Sequence, residues 1–171
     1  MSARRIVLVE DDDDLRMVAS MSLESIGGHK VLALESGARA VKEAANFVPD
    51  LLILDVSMPV MDGPQTLAAL RQQAALRDVP LVFLTAHTRG KEVTHYRSLG
   101  AVDVIAKPFD PKHLCDRVQA VLELPPTKRA KTVMSWAPTQ PGVVPEATPT
   151  ALVVEDDPGV RYLLGFILRQ Q

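Results

Sequence analysis

Five short runs of branched aliphatic residues punctuate the first 124 residues, and helical periods fill the gaps between them. Strands are expected near Arg5–Val9, Lys30–Leu34, Leu51–Leu54, Leu81–Leu84 and Val102–Ala106. Their nearly unbroken Val, Ile and Leu content is that of strands buried on both faces. Leu15, Val18, Ala19, Leu23 and Ile26 make an apolar stripe at helical spacing, and Leu114, Val118, Val121 and Leu122 make another. Ser36 is placed to cap a second helix whose Ala40, Val41 and Ala44 face inward. Asp110-Pro111 is a capping carboxylate followed by proline at the first helical position. Gly27-Gly28 ends the first helix. This fivefold alternation selects an α/β fold with a parallel sheet covered on both faces.

Right-handed crossovers leave few ways to wind such a sheet. The expected solution is doubly wound and five-stranded, in the flavodoxin-like order 2-1-3-4-5. That order gathers the strand ends at one carboxyl edge, where such folds bind ligands. The ends are polar. The first run leads into Glu10-Asp11, the third into Asp55, the fourth into Thr85 and the fifth into Lys107.

A carboxylate held stiffly at a strand end, as Asp55 would be, can attack a phosphoryl group and form an acyl phosphate. Glu10 and Asp11 beside it supply the hard oxygen ligands that Mg2+ prefers, and the metal would neutralise charge on a phosphoryl group in transit. Asp13 or Asp14 is assigned to the cap and first turn of the following helix. The Thr85 hydroxyl can donate to a phosphoryl oxygen, and Lys107 can pair with it as a compact charge. Ala106-Lys107-Pro108 is a candidate cis turn. His29, His87, His95 and His113 show no metal-ligand spacing and are expected at the surface, with His87 near enough to Thr85 to line the site. Cys115 is assigned a packing role.

Net charge is −2, which gives no global signal for nucleic acid or an anionic membrane. The single cysteine excludes an intrachain disulfide and fits a reducing, cytoplasmic setting. No apolar run approaches a membrane span, and the first is too short for a signal peptide.

Composition changes at Pro125. The stretch 125–150 contains six prolines and no periodic pattern, and is expected to be an extended linker. Within it, Lys128, Arg129 and Lys131 are expected to be solvated, and Trp136 exposed. Residues 151–171 then repeat the start of the chain. Ala151-Leu152-Val153-Val154-Glu155-Asp156 matches Ile6-Val7-Leu8-Val9-Glu10-Asp11, and Arg161 matches Arg16. The organisation expected is a domain over 1–124, a Pro-rich linker over 125–150, and one strand and one helix of a second copy over 151–171. Glu155 and Asp156 lack an acceptor, hydroxyl and lysine of their own, so no function is expected of them here.

Glu10-Asp11, Asp55 in a D-x-x-M-P-x-M-D-G stretch, Thr85-Ala86 and Lys107-Pro108-Phe109 together resemble the receiver domain of two-component response regulators, over residues 4 to 124. The resemblance implies that Asp55 is the phosphoacceptor and that Thr85 and Lys107 sense the phosphate. It also implies that Glu10, Asp11, Asp55 and the main-chain carbonyl of Ser57 hold Mg2+. The expected donor is a histidine kinase or phosphotransfer protein, and the signal leaves to a downstream protein target. Neither direct nucleic-acid binding nor membrane contact is expected. Catalysis is limited to self-catalysed phosphoryl transfer and dephosphorylation. Val104 departs from the family, which often carries Tyr or Phe three residues before the lysine.

Two alternatives share these features. The chain could be the N-terminal part of a longer tandem-receiver or hybrid kinase protein. A haloacid-dehalogenase-like phosphohydrolase also uses a strand-end aspartate, but needs an acid two residues on, where this chain has Ser57. A dinucleotide-binding domain is disfavoured, because no G-x-G-x-x-G follows the first strand.

Overall fold

The computed structural model describes residues 3–87 and 90–125. The linker and second-copy assignments, with Trp136, Glu155 and Asp156, lie outside the described residues. Five strands, β1 (Arg5–Val9), β2 (Lys30–Leu34), β3 (Leu51–Asp55), β4 (Leu81–Thr85) and β5 (Asp103–Ala106), alternate with α1 (Asp13–Ser25), α2 (Gly37–Phe47), α3 (Gly63–Arg71), α4 (Gly90–Ser98) and α5 (Pro111–Glu123). The strands form one parallel sheet in the order β2-β1-β3-β4-β5. The expected doubly wound, flavodoxin-like topology is therefore present.

Strand periodicity explains how a nearly all-aliphatic strand serves two cores. Ile6, Leu8, Leu51, Ile53, Val82, Leu84 and Ile105 face one side, packing on Ala19 and Leu23 of α1 and on Leu114, Val118, Val121 and Leu122 of α5. Val7, Val9, Leu52, Leu54, Leu81, Phe83 and Val104 face the other, against α2 and α3 and the shallowly attached α4. Strands β1, β3 and β4 are thus closed on both faces, and their ends form a rigid platform.

Helix starts follow the sequence, with one correction. Ser36, Asp62 and Asp110 cap α2, α3 and α5, each accepting from a backbone N–H three residues on. At Asp62 a capping box forms with Gln65. The cap of α1 is Asp12, not Asp13 or Asp14. Its backbone is extended and its carboxylate accepts from Leu15 N–H, while Asp13 and Asp14 occupy the first turn. Glycine ends α1 as expected: Gly28 has φ +68, in the left-handed region.

The buried stripe of α1 is narrower than its apolar spacing. Ala19, Ser22 and Leu23 are buried, but Val18 and Ile26 are exposed. Ser22 is accommodated because its hydroxyl donates to the Val18 carbonyl. Cys115 packs as expected, its Sγ directed at the Ser22 carbonyl 3.3 Å away. His29 is a further correction. It is buried rather than at the surface, with Nδ1 accepting from Arg4 N–H at 3.5 Å and Nε2 unpaired. Burial first, then the nearby Arg4 charge, pull its pKa below the ordinary histidine value. No helix among the described residues is long and apolar enough to cross a membrane.

Candidate functional site

The ends of four strands, β1, β3, β4 and β5, converge at the carboxyl edge. Asp55 is the last residue of β3 and is 2% exposed, with Leu84 of β4 as its register partner. The chain then turns sharply beneath it. Gly63 N–H donates to the Val56 carbonyl, and a Cβ at Gly63 would lie 2.5 Å from the Asp55 carbonyl oxygen. Only glycine allows α3 to begin this close to the end of β3. At the tip of the turn, Met61 N–H donates to the Pro59 carbonyl at 2.7 Å, and Val60 is fully exposed at φ +67.

Glu10 follows β1 directly and is completely buried. Its backbone N–H donates to the Leu34 carbonyl of β2, which fixes the residue before α1 begins. Asp11 is exposed at the rim. Carboxylate oxygens of Glu10, Asp11 and Asp55 lie within 4.8 Å of one another. Thr85 ends β4 and is fully buried; its Oγ1 accepts from His87 N–H at 3.0 Å. Lys107 follows β5, its N–H donates to the Thr85 carbonyl, and the Lys107-Pro108 peptide is cis as the sequence indicated.

The side chain of Lys107 closes the group. Its Nζ lies 2.8 Å from Glu10 Oε1 and 3.0 Å from Asp55 Oδ2. Asp55 Oδ1 also accepts from Ser57 N–H at 3.3 Å. Burial pushes the pKa of Glu10 up, against the opposing hydrogen bond from Lys107. Burial pulls Lys107 down, but its hydrogen bonds and charge contacts with Glu10 and Asp55 outweigh that, so the ammonium is held more firmly than usual.

This donor set fits a hard divalent cation. It offers carboxylate oxygens only, and Glu10 Oε2 is buried without a hydrogen-bond partner among the described residues. A buried carboxylate oxygen carrying negative charge and no donor is costly unless a cation meets it. The sequence-predicted residues Glu10, Asp11, Asp55, Thr85 and Lys107 are thus brought to one edge. Ser57 is there too, its backbone N–H engaged with Asp55. His87 reaches the site through its backbone, while its side chain is exposed.

One contributor lies outside the sequence-derived set. Arg16, on the first turns of α1, donates from Nη1 to the main-chain carbonyls of Glu10 and Asp11, at 2.7 and 3.3 Å, and from Nη2 to Asp13 Oδ1. The signal for it was present in the repeat, which keeps an arginine at the matching Arg161.

Comparison with known proteins agrees with this geometry. The family model described as the response regulator receiver domain matches residues 6–119. The chain is 42% identical over 122 residues to the phosphate regulon transcriptional regulatory protein PhoB of Klebsiella pneumoniae, covering 70% of this chain and 52% of that protein. It is 34% identical over 119 residues to the alkaline phosphatase synthesis transcriptional regulatory protein PhoP of Bacillus subtilis, covering 70% and 48%. Among solved structures, the chemotaxis protein CheY4 of Vibrio cholerae superposes with a TM-score of 0.66 at 29% identity, covering 70% of this chain and 99% of that one. The chain spans about half the length of the curated relatives it matches. It belongs to the response regulator receiver family.

Proposed function

We propose, from its membership of the response regulator receiver family and from the acidic pocket, that this chain accepts a phosphoryl group on Asp55 from a histidine kinase or phosphotransfer protein. The observation that carries this reading is the placement of Asp55: almost fully buried at a strand end, 3.0 Å from the Lys107 ammonium, with two further carboxylates beside it. An Asp55 carboxylate oxygen forms the new O–P bond while the P–N bond to the donor imidazole breaks. The bonding pair leaves on the imidazole nitrogen, whose ring partner carries the proton. The product is an acyl phosphate on Asp55 and a neutral donor histidine.

Glu10, Asp11 and Asp55, with the main-chain carbonyl of Ser57, are the residues that would hold Mg2+. When bound, the ion supplies charge neutralisation for the transferring phosphoryl oxygens. The rigid strand ends contribute orientation, since β3 and β4 fix Asp55 and Thr85 without reorganisation. Lys107 is placed to follow the new negative charge, and Thr85 to exchange its His87 contact for a phosphoryl oxygen. Turnover is limited to self-catalysed transfer and loss of the phosphoryl group. The phosphohydrolase alternative finds no support here, because the position two after Asp55 is Ser57, which is no general acid.

The signal then passes to a downstream protein, in a cytoplasmic setting. The expectation of no direct nucleic-acid contact is not carried to the whole protein, because PhoB and PhoP are named transcriptional regulators and are about twice as long as the matched region. Acetyl phosphate with Mg2+ is expected to add one phosphoryl group, seen as a mass increase that alkaline hydroxylamine removes. An Asp55→Asn chain that still gains the group would refute the assignment.

A further inference from the structure

The Glu10-Asp11 corner lies in a loop between a strand and a helix, where backbone freedom would ordinarily blur the position of both carboxylates. Beyond the Glu10 N–H bond to the Leu34 carbonyl, one side chain ties the corner down. The Arg16 guanidinium spans the carbonyls of Glu10 and Asp11 through Nη1, and Nη2 holds Asp13. Its side chain is only 19% exposed, although it sits on a helix surface. An ordinary helix-face ion pair at i,i+3 would involve Asp13 alone and leave the two carbonyls to water.

The internal repeat adds an independent observation. Residues 151–161 keep the Glu-Asp pair and the arginine, as Glu155, Asp156 and Arg161, at the same spacing. They discard the acids of the intervening turn: Asp13 becomes Pro158 and Asp14 becomes Gly159. The arginine thus tracks the acidic pair, not its helix-face partner.

We propose that Arg16 is a positioning residue for the cation site: it fixes the Glu10-Asp11 backbone so that both carboxylates face Asp55. This rests on the proposed Mg2+ reading and extends it to a residue outside the ligand set. Charge and position predict opposite signs. As a cation held against the Glu10 and Asp11 main chain, Arg16 lowers the local attraction for a divalent ion, so by charge alone Arg16→Gln tightens Mg2+ binding. As a clasp, its loss lets the corner move and weakens binding, by about 10- to 100-fold as for other groups that orient metal ligands.

The test uses the full chain, with Mg2+ affinity measured by isothermal titration and melting followed in parallel. Weaker Mg2+ binding in Arg16→Gln, with a cooperative melt and faster metal-free amide exchange at Asp11 and Asp12, is the expected result. Unchanged or tighter binding overturns the proposal. Arg16→Lys retains the charge but cannot span two carbonyls and Asp13 at once. It is expected to weaken binding as well, and full rescue by lysine would overturn the clasp, because a single ammonium would then do what the spanning guanidinium is proposed to do. It also serves if the Gln variant does not fold. Asp13→Ala removes only the helix-face partner and is expected to change affinity less than twofold; a loss equal to that of Arg16→Gln overturns the clasp. A wild-type chain that binds no Mg2+ overturns this proposal and the metal reading together. Bound Mg2+ with unaltered affinity in both arginine variants overturns this one alone.

Discussion

Removing the Lys107 ammonium should expose how the pocket balances its charge. In Lys107→Ala, Glu10 and Asp55 remain buried, with side chains 0% and 3% exposed. They lose a cation 2.8 and 3.0 Å away. At an effective dielectric of about 20, each contact corresponds to roughly 6 kcal/mol of attraction. The variant no longer carries the desolvation cost of a buried ammonium, and Glu10, already inclined to protonate, takes up a proton more readily. What remains is the cost of breaking a buried pair by removing one partner, about 3–5 kcal/mol. For a domain of this size that is a fall in Tm of roughly 10–20 °C. The decisive feature is the dependence on metal. A divalent ion at the carboxylates replaces the missing charge, so Mg2+ should stabilise Lys107→Ala more than it stabilises the wild-type chain. At a hundredfold excess over the dissociation constant the recovery is about 2.7 kcal/mol. The assay is thermal or urea unfolding of both proteins, in chelator and in Mg2+. Equal stability of the two proteins in chelator would refute the charge balance, and equal Mg2+ increments would refute the shared site.

Three further outcomes follow from local geometry. Gly63→Ala places a Cβ within 2.5 Å of the Asp55 carbonyl oxygen, and should cost about 1–3 kcal/mol as overpacking and slow acetyl phosphate labelling; wild-type labelling and Tm together would contradict the turn geometry. Val60→Gly relieves a left-handed backbone at a side chain that packs on nothing, so urea unfolding should show a gain of up to about 1 kcal/mol, the strain relief being partly offset by glycine's chain entropy. His29 has a depressed folded pKa, so the unfolded chain binds its proton first. Its contribution is complete above the ordinary histidine value, about 6.5, and is lost as pH falls below it; unfolding between pH 7.5 and 5.5 should be less pH-dependent in His29→Gln.

Most of the fold was legible because strand and helix periods differ and the caps are distinct. The strands run within one residue of their expected limits, and Ser36 and Asp110 cap as read. The errors occur where local chemistry is degenerate. Asp11 to Asp14 offers four consecutive capping side chains, and only the extended backbone at Asp12 distinguishes the one that caps. The buried stripe of α1 is narrower than its apolar spacing because spacing does not reveal how much of a helix its neighbours cover. Ser22 is buried in place of Val18 through a hydroxyl bond to its own helix, which hydropathy cannot register. His29 escaped for a related reason: a histidine after two glycines reads as a turn, and its burial follows from the packing of the chain around it. The site itself was legible in its residue types and strand-end positions. Its contacts were not, since Lys107 meets Glu10 across 97 residues and only the 2-1-3-4-5 winding brings them together.

Val104 is where residue type and position seemed to conflict. Its strand position is one that commonly carries an aromatic ring in the family the chain resembles, and valine removes that ring. The structure supplies an aromatic contact from the other side. Phe83, the register partner of Val104 on β4, is fully buried, and the Tyr96 ring of α4 lies 5.5 Å from it in a tilted arrangement. Such a pair contributes about 0.5–1.5 kcal/mol beyond its buried area. That matters for α4 more than for any other helix, because none of its residues is buried and it reaches the core only through the half-buried Val93, Tyr96 and, just beyond its end, Leu99. Elements with so little buried apolar contact open at low free-energy cost. Tyr96 on Phe83 is therefore a principal anchor of the helix that follows Thr85 in sequence, on a strand residue two before Thr85. Valine at 104 does not remove the aromatic contact between sheet and helix. It leaves that contact to a side chain carried by the helix itself.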